Sequence, residues 1–95
     1  MKINFNQWEC EVLIKEYPLN NRKAIQLVDA EDGSPVAVAT VNFPDEPLND
    51  DEVLIKDYSE NEGVYQALVD GKVISKAIEY IQRGFVTIPK CKLLI

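Results

Sequence analysis

Residues 23–41, KAIQLVDAEDGSPVAVATV, hold two apolar runs on either side of a turn cluster. Ile25 and Leu27 share one parity of an apolar run, and VAVATV (residues 36–41) is a second run rich in β-branched residues. Between them lies Glu31-Asp32-Gly33-Ser34. Asp-Gly between two apolar runs signals a hairpin, because tight turns need positive φ and these two residues tolerate it. Two antiparallel strands are therefore predicted, near residues 23–28 and 36–41. Upstream, Trp8, Cys10, Val12 and Ile14 occupy one parity while Glu9, Glu11 and Lys15 fall on the other. That period of two predicts a half-buried strand over about residues 7–16. Pro18, Asn20 and Asn21 supply the turn that joins it to the hairpin. Three antiparallel strands thus fill the first 41 residues.

Downstream the pattern changes. Residues 42–52 (NFPDEPLNDDE) carry two prolines and five acids and read as an exposed loop. Val53-Leu54-Ile55 is a short apolar run suited to a fourth strand. Ser59 precedes Glu62 by three residues, the spacing of a capping box, in which each side chain accepts from the other residue's backbone N–H. Val64, Tyr65, Leu68 and Val69 follow at helical spacing, so a helix is expected over about residues 60–70, slightly weakened by Gly63 and ended by Gly71 at positive φ. Ala77, Ile78, Tyr80 and Ile81 fit a helical turn or a strand equally. Gly84 breaks the segment, residues 85–88 read as strand, and Cys91, Leu93 and Ile95 alternate on a terminal strand. Pro89 places that strand at a sheet edge, where a missing N–H is tolerated. The expectation is an α+β domain spanning residues 1–95, with an antiparallel sheet of about five strands and one short helix near residues 60–70.

The composition excludes more than it assigns. The 95 residues include 46% hydrophobic and 27% charged side chains and no histidine. Without histidine there is no Ser-His or Cys-His nucleophile pair, no ordinary general base near neutral pH, and little prospect of a zinc or copper site. No Walker loop or G-x-G-x-x-G occurs among the four glycines. Residues 42–52 supply carboxylates but lack the twelve-residue calcium-loop pattern. No flanking sequence selects a catalytic carboxylate pair. The expectation is a protein that is not an enzyme, with no catalytic residues, no metal ligands and no cofactor. Cys10 and Cys91 read as free thiols of a reducing compartment, the alternative being a staple between the first and last strands. The N-terminus is no secretory signal, and no apolar run approaches the ~18–20 residues of a membrane span, so a cytoplasmic location is expected.

Charge is unevenly distributed. Residues 45–62 hold eight acids (Asp45, Glu46, Asp50, Asp51, Glu52, Asp57, Glu60 and Glu62) and one base, Lys56. That is a net −7 of the chain's total −6, leaving +1 over the other 77 residues. From Gly71 onward five bases face one acid. Such a segment reads either as a solvated loop leading into a helix start or as an acidic docking surface. A divalent-cation site is a third reading. Tyr58 and Phe43 flank the acids, and each suits either the core or an interface anchor.

Glu52 to Ile74 (EVLIKDYSENEGVYQALVDGKVI) resembles the central signature of a family of small uncharacterised proteins carried by phages, plasmids and integrated elements of Gram-positive bacteria. The resemblance rests on Lys56 to Gly63 (KDYSENEG), on Gly84-Phe85-Val86 and on Pro89-Lys90-Cys91, with Asn42 to Leu48 similar to the family's strand-to-loop transition. It covers the last 55 or so residues well. Between Ile74 and Gly84 this chain departs, reading SKAIEYIQR where the family has a shorter Thr-Gly-Arg pattern. The resemblance implies a mobile-element setting and brings no catalytic residues with it.

From charge and resemblance together the expectation is a protein-binding module, an inhibitor or adaptor of a mobile element. Its partner-binding residues would be Asp45, Glu46, Asp50, Asp51, Glu52, Asp57, Tyr58, Glu60 and Glu62. They would occlude a basic surface on a host protein, such as a nucleic-acid-binding protein. Direct nucleic-acid or membrane binding is disfavoured, since both need positive charge. Two alternatives stand beside this one: a carboxylate-based metal-binding protein or enzyme, and a self-associating structural protein that pairs through residues 91–95. The chain is expected as a monomer or a homodimer.

Overall fold

The computed structural model describes residues 1–95 as an α+β fold. Its strands are β1 (Lys2–Phe5), β2 (Trp8–Glu16), β3 (Lys23–Asp29), β4 (Pro35–Val38), β5 (Glu52–Leu54), β6 (Glu79–Arg83) and β7 (Val86–Lys92), with one helix, α1 (Val64–Asp70). The seven strands divide into two antiparallel sheets rather than one of about five. β1-β2-β3-β4 lie in chain order, whereas the second sheet runs β5-β7-β6.

The three strands expected in the first 41 residues are present as β2, β3 and β4, with Val12 opposite Leu27 and Ile14 opposite Ile25. β1 is an addition. Four residues are too few to establish a period, but Ile3 and Phe5 alternate inward as its burial shows. Along β2 only Cys10 and Val12 reach the interior, because Trp8 and Ile14 extend past the core at either end. At the β3–β4 turn the Asp29 carboxylate accepts the Glu31 N–H at 2.8 Å and Gly33 takes φ +77°. Asp32 accepts both the backbone N–H and the hydroxyl of Ser34, which holds its carboxyl below its ordinary range.

β4 stops at Val38, short of residue 41, because the chain crosses there to the second sheet. Ala39 is buried and Thr40 bridges to Ile55. The Thr40 hydroxyl accepts the Ile25 N–H at 3.2 Å and lies 2.8 Å from the Tyr17 hydroxyl, so a buried polar group at the junction is satisfied from two sides. Ile3, Cys10, Ile25, Val53, Leu68 and Cys91 belong to one hydrophobic cluster, which both sheets and the helix share. Cys10 and Cys91 are free and fully buried within it. Burial pushes the Cys91 thiol up to about 12.

The helix begins later than expected. Ser59–Asn61 form a 3-10 turn, and Ser59 itself adopts φ +55° with no side-chain cap bond, so the capping box does not form. Gly63 precedes α1 at φ +97°, and the capping acceptor is Asp57, whose Oδ1 takes the N–H groups of Gly63 and Tyr65 at 3.0 Å each. At the other end Gly71 has φ −80°, and the positive φ falls on Lys72. Gly71 is required for space: a Cβ there would sit 2.4 Å from Ile3 Cγ2, where β1 crosses the helix end.

Residues 79–83 are strand, not helix, since Tyr80 and Ile81 pair with Pro89 and Ile88. β7 is the central strand of its sheet rather than an edge, and it carries Pro89 all the same. The Pro89 carbonyl accepts the Ile55 N–H at 3.0 Å, while the Ile55 carbonyl, to which proline has no N–H to return, accepts Asp57 N–H at 3.1 Å. The proline sits just past the end of β5, and the one reciprocal bond it cannot make to Ile55 O is replaced by the Asp57 N–H. Residues 93 and 94 are likewise tied, with Leu93 N–H on Asp51 O and Leu94 N–H on Val73 O. The C-terminal segment is therefore not a free sheet edge.

Candidate docking surface

The loop 42–52 leaves the first sheet and enters the second, and its shape is imposed by residues distant in sequence. Arg22, just past the β2–β3 turn, donates from Nη1 to Phe43 O at 2.7 Å and from Nη2 to Glu46 O. Arg83, at the end of β6, places its guanidinium 4.6 Å from the Phe43 ring centroid. Its Nη2 also meets Asp45 Oδ2 at 3.1 Å and Glu46 Oε1 at 3.4 Å. These are the only two arginines of the chain, and both converge on this loop. Arginine suits the task because its planar fork binds carbonyls and carboxylates and stacks on aromatic faces at once.

The far end of the loop is closed from within. Glu52 is buried, and its carboxylate accepts the Asn49 N–H at 2.8 Å while its own N–H donates to Asn49 O at 3.1 Å. Leu93 N–H on Asp51 O, at 2.7 Å, fastens the same corner to the C-terminal segment. Between these fixed points Asp50 and Asp51 are exposed and form no ion pair.

The eight acids of residues 45–62 therefore do not form one surface. Asp45 and Glu46 are paired with Arg83. Glu52 and Asp57 are turned toward backbone N–H groups. Glu60 pairs with Lys56 at 2.7 Å, which lowers its carboxyl and raises the ammonium. Tyr58 is half-buried, with the same ammonium 5.7 Å from its ring centroid. Glu62 is exposed and unpaired at the 3-10 turn. What remains outward and unpaired is Asp50, Asp51 and Glu62.

Asp50 also borders a cleft of about 550 Å³ between loop 42–52 and the turn 17–22. Leu48 is the one apolar side chain among the nine residues lining it, which is the wrong character for a drug-like apolar ligand site. Its carboxylates are Glu16, Asp50 and Glu52, and its cations are Arg22 and Lys23. Lys23 is paired with Glu16 at 2.8 Å, and Arg22 is committed to the loop backbone. Among the charged side chains facing this cleft, Asp50 is the exposed carboxylate with neither an ion-pair nor a hydrogen-bond partner. No three Asp, Glu or Cys side chains converge as a metal ion requires. No helix is long and apolar enough to cross a membrane.

Arg22 and Arg83 escaped the sequence reading because both reach the loop from 21 or more residues away. Their scarcity beside a lysine-rich remainder was the one available signal. Comparison with protein-family models, with curated proteins and with solved structures finds no match for the chain.

Proposed function

We propose that the chain is a non-enzymatic protein-binding module whose contact with a basic partner surface is made by Asp50 and Asp51 and the cleft beside them. One observation carries the reading. Two exposed, unpaired carboxylates sit on a loop that Arg22, Arg83 and Glu52 hold in a single shape. A rigid loop loses little conformational freedom on binding, so its charge is available for recognition rather than spent on ordering the chain. The cleft has room for a lysine or arginine side chain of the partner, with Asp50 at its rim. Glu62 would act at the periphery, through long-range attraction. Occlusion of a basic host surface, including one that otherwise meets nucleic acid, accords with the mobile-element setting that the sequence resemblance implies.

The test is an NMR titration of the isotopically labelled chain with a short arginine-rich peptide. Shifts concentrated on the amides of residues 48–52 and on Arg22 are expected. Shifts spread evenly over all exposed carboxylates, or centred on Glu60 and Glu62, would overturn the assignment.

A further inference from the structure

Four strands lie at sheet edges, and three of them are covered or shortened. β1 runs beside α1, with Ile3 against Gly71. β4 is four residues long, opens on Pro35, and its Val38 carbonyl accepts Asn61 Nδ2 at 2.7 Å. β5 is flanked by the crossing chain, where Val41 N–H donates to Leu54 O at 3.0 Å. β6 has β7 on one side, and no hydrogen bond from elsewhere in the fold reaches its other edge. It contains no proline and no bulge, the usual devices that blunt an edge.

Pro89 O faces β5, so Ile88 and Lys90 face β6, where their partners are Ile81 and Glu79. The backbone groups of Tyr80 and Gln82 consequently point away from the sheet. The five residues, Glu-Tyr-Ile-Gln-Arg, are complementary to themselves when read in the opposite direction. Centred on Ile81, an antiparallel copy sets Glu79 against Arg83, Tyr80 against Gln82 and Ile81 against its equivalent. Tyr80 and Gln82 are then the hydrogen-bonded pair, which their outward parity demands, and each of the two such pairs supplies two backbone bonds. Apolar exposure gathers at the same element: Ile78 is 50% exposed, Tyr80 61%, and Phe85 at the β6–β7 turn fully so.

We infer that a second copy of this chain docks along β6, in an antiparallel two-fold pairing that joins the two three-stranded sheets into one of six strands, β5-β7-β6-β6-β7-β5. The contact is isologous and closes at two copies, with Glu79, which Lys90 also holds at 2.8 Å, set against Arg83, which also meets Asp45 and Glu46, at each end. The charge complementarity fixes the register, since a shift by two residues in either direction removes both opposite-charge pairs.

Sedimentation velocity of the full chain from about 1 μM to 1 mM reads the association, with a monomer mass of 10.8 kDa as reference. A concentration-dependent dimer is expected, and the amides of Tyr80 and Gln82 should exchange hydrogen more slowly at the upper concentration. Glu79→Arg opposes like charges at both ends and should weaken the dimer at least about tenfold, and it leaves Arg83 and its hold on loop 42–52 in place. Gln82→Pro removes an outward N–H that the fold does not use, and should weaken the dimer by a similar factor. Circular dichroism confirms that each variant is folded. A monomer throughout the range, a dimer indifferent to these variants, or Tyr80 and Gln82 amides that exchange equally at both concentrations would overturn the inference.

Discussion

Loop 42–52 and the turn 56–63 are both rich in carboxylate, and the fold uses them in opposite ways. In the turn two of the three acids are consumed locally, since Asp57 caps α1 and Glu60 pairs with Lys56 four residues away, and only Glu62 is left unpaired. In the loop the restraint comes from afar, through Arg22 and Arg83, and two carboxylates are left facing water. Density of negative charge along a sequence therefore does not identify a binding surface. What distinguishes the two regions is whether a carboxylate has a partner within the fold.

The difference between the two regions rests first on Arg22. Arg22→Ala removes two charged donors from the Phe43 and Glu46 carbonyls and should cost about 2–3 kcal/mol in denaturant unfolding, with loss of order confined to loop 42–52. A loss below about 0.5 kcal/mol would show that the loop holds its shape without the arginine. Asp57→Ala strips the N-terminal cap from α1 and should cost about 1–2 kcal/mol, reported by reduced helical circular dichroism and faster exchange of the Gly63 and Tyr65 amides. Unchanged exchange at those two amides would mean that Gly63 and the 3-10 turn suffice to start the helix.

By contrast, Asp50→Asn/Asp51→Asn should alter stability by less than about 0.5 kcal/mol, since neither carboxylate has a partner to lose. A larger loss in that double variant would place these side chains among the structural acids and erase the distinction. The smallest effect is on acid titration. The Lys56 ammonium holds the Glu60 carboxyl below its ordinary value, so this contribution to stability is fully present above the usual carboxylate range and fades as pH falls through the lowered one. Lys56→Met should return the Glu60 titration toward the ordinary range in an NMR pH series, and an unmoved titration would show that the pair does not form in solution.

Much of the first sheet was legible because its strands are consecutive and its turns carry their own chemistry, as at Asp32-Gly33. β1 escaped because four residues reveal no period, and its cue, Ile3 and Phe5 alternating, becomes meaningful only once β2 lies beside it. The second sheet was harder because β5 pairs with β7, about forty residues on, and no local pattern encodes such a contact. Pro89 misled for a definite reason: a proline argues for an edge unless the neighbouring strand has already ended, and that depends on where Ile55 turns. At the candidate site, the acids were legible as a cluster, but their division into paired and unpaired groups was not. That division is set by Arg22 and Arg83, whose reach across 21 to 38 residues is a property of the folded chain.

On the proposed function, recognition resides in Asp50 and Asp51, not in acidity as such. This is tested most directly by quantitative capture of partners from a bacterial lysate at low and high salt, comparing the wild-type chain, Asp50→Asn/Asp51→Asn and Glu60→Gln/Glu62→Gln. The two variants remove equal charge. Loss of the salt-sensitive partner by the first variant and its retention by the second is the predicted result. Equal loss in both would contradict the claim, leaving net charge alone as the basis of binding.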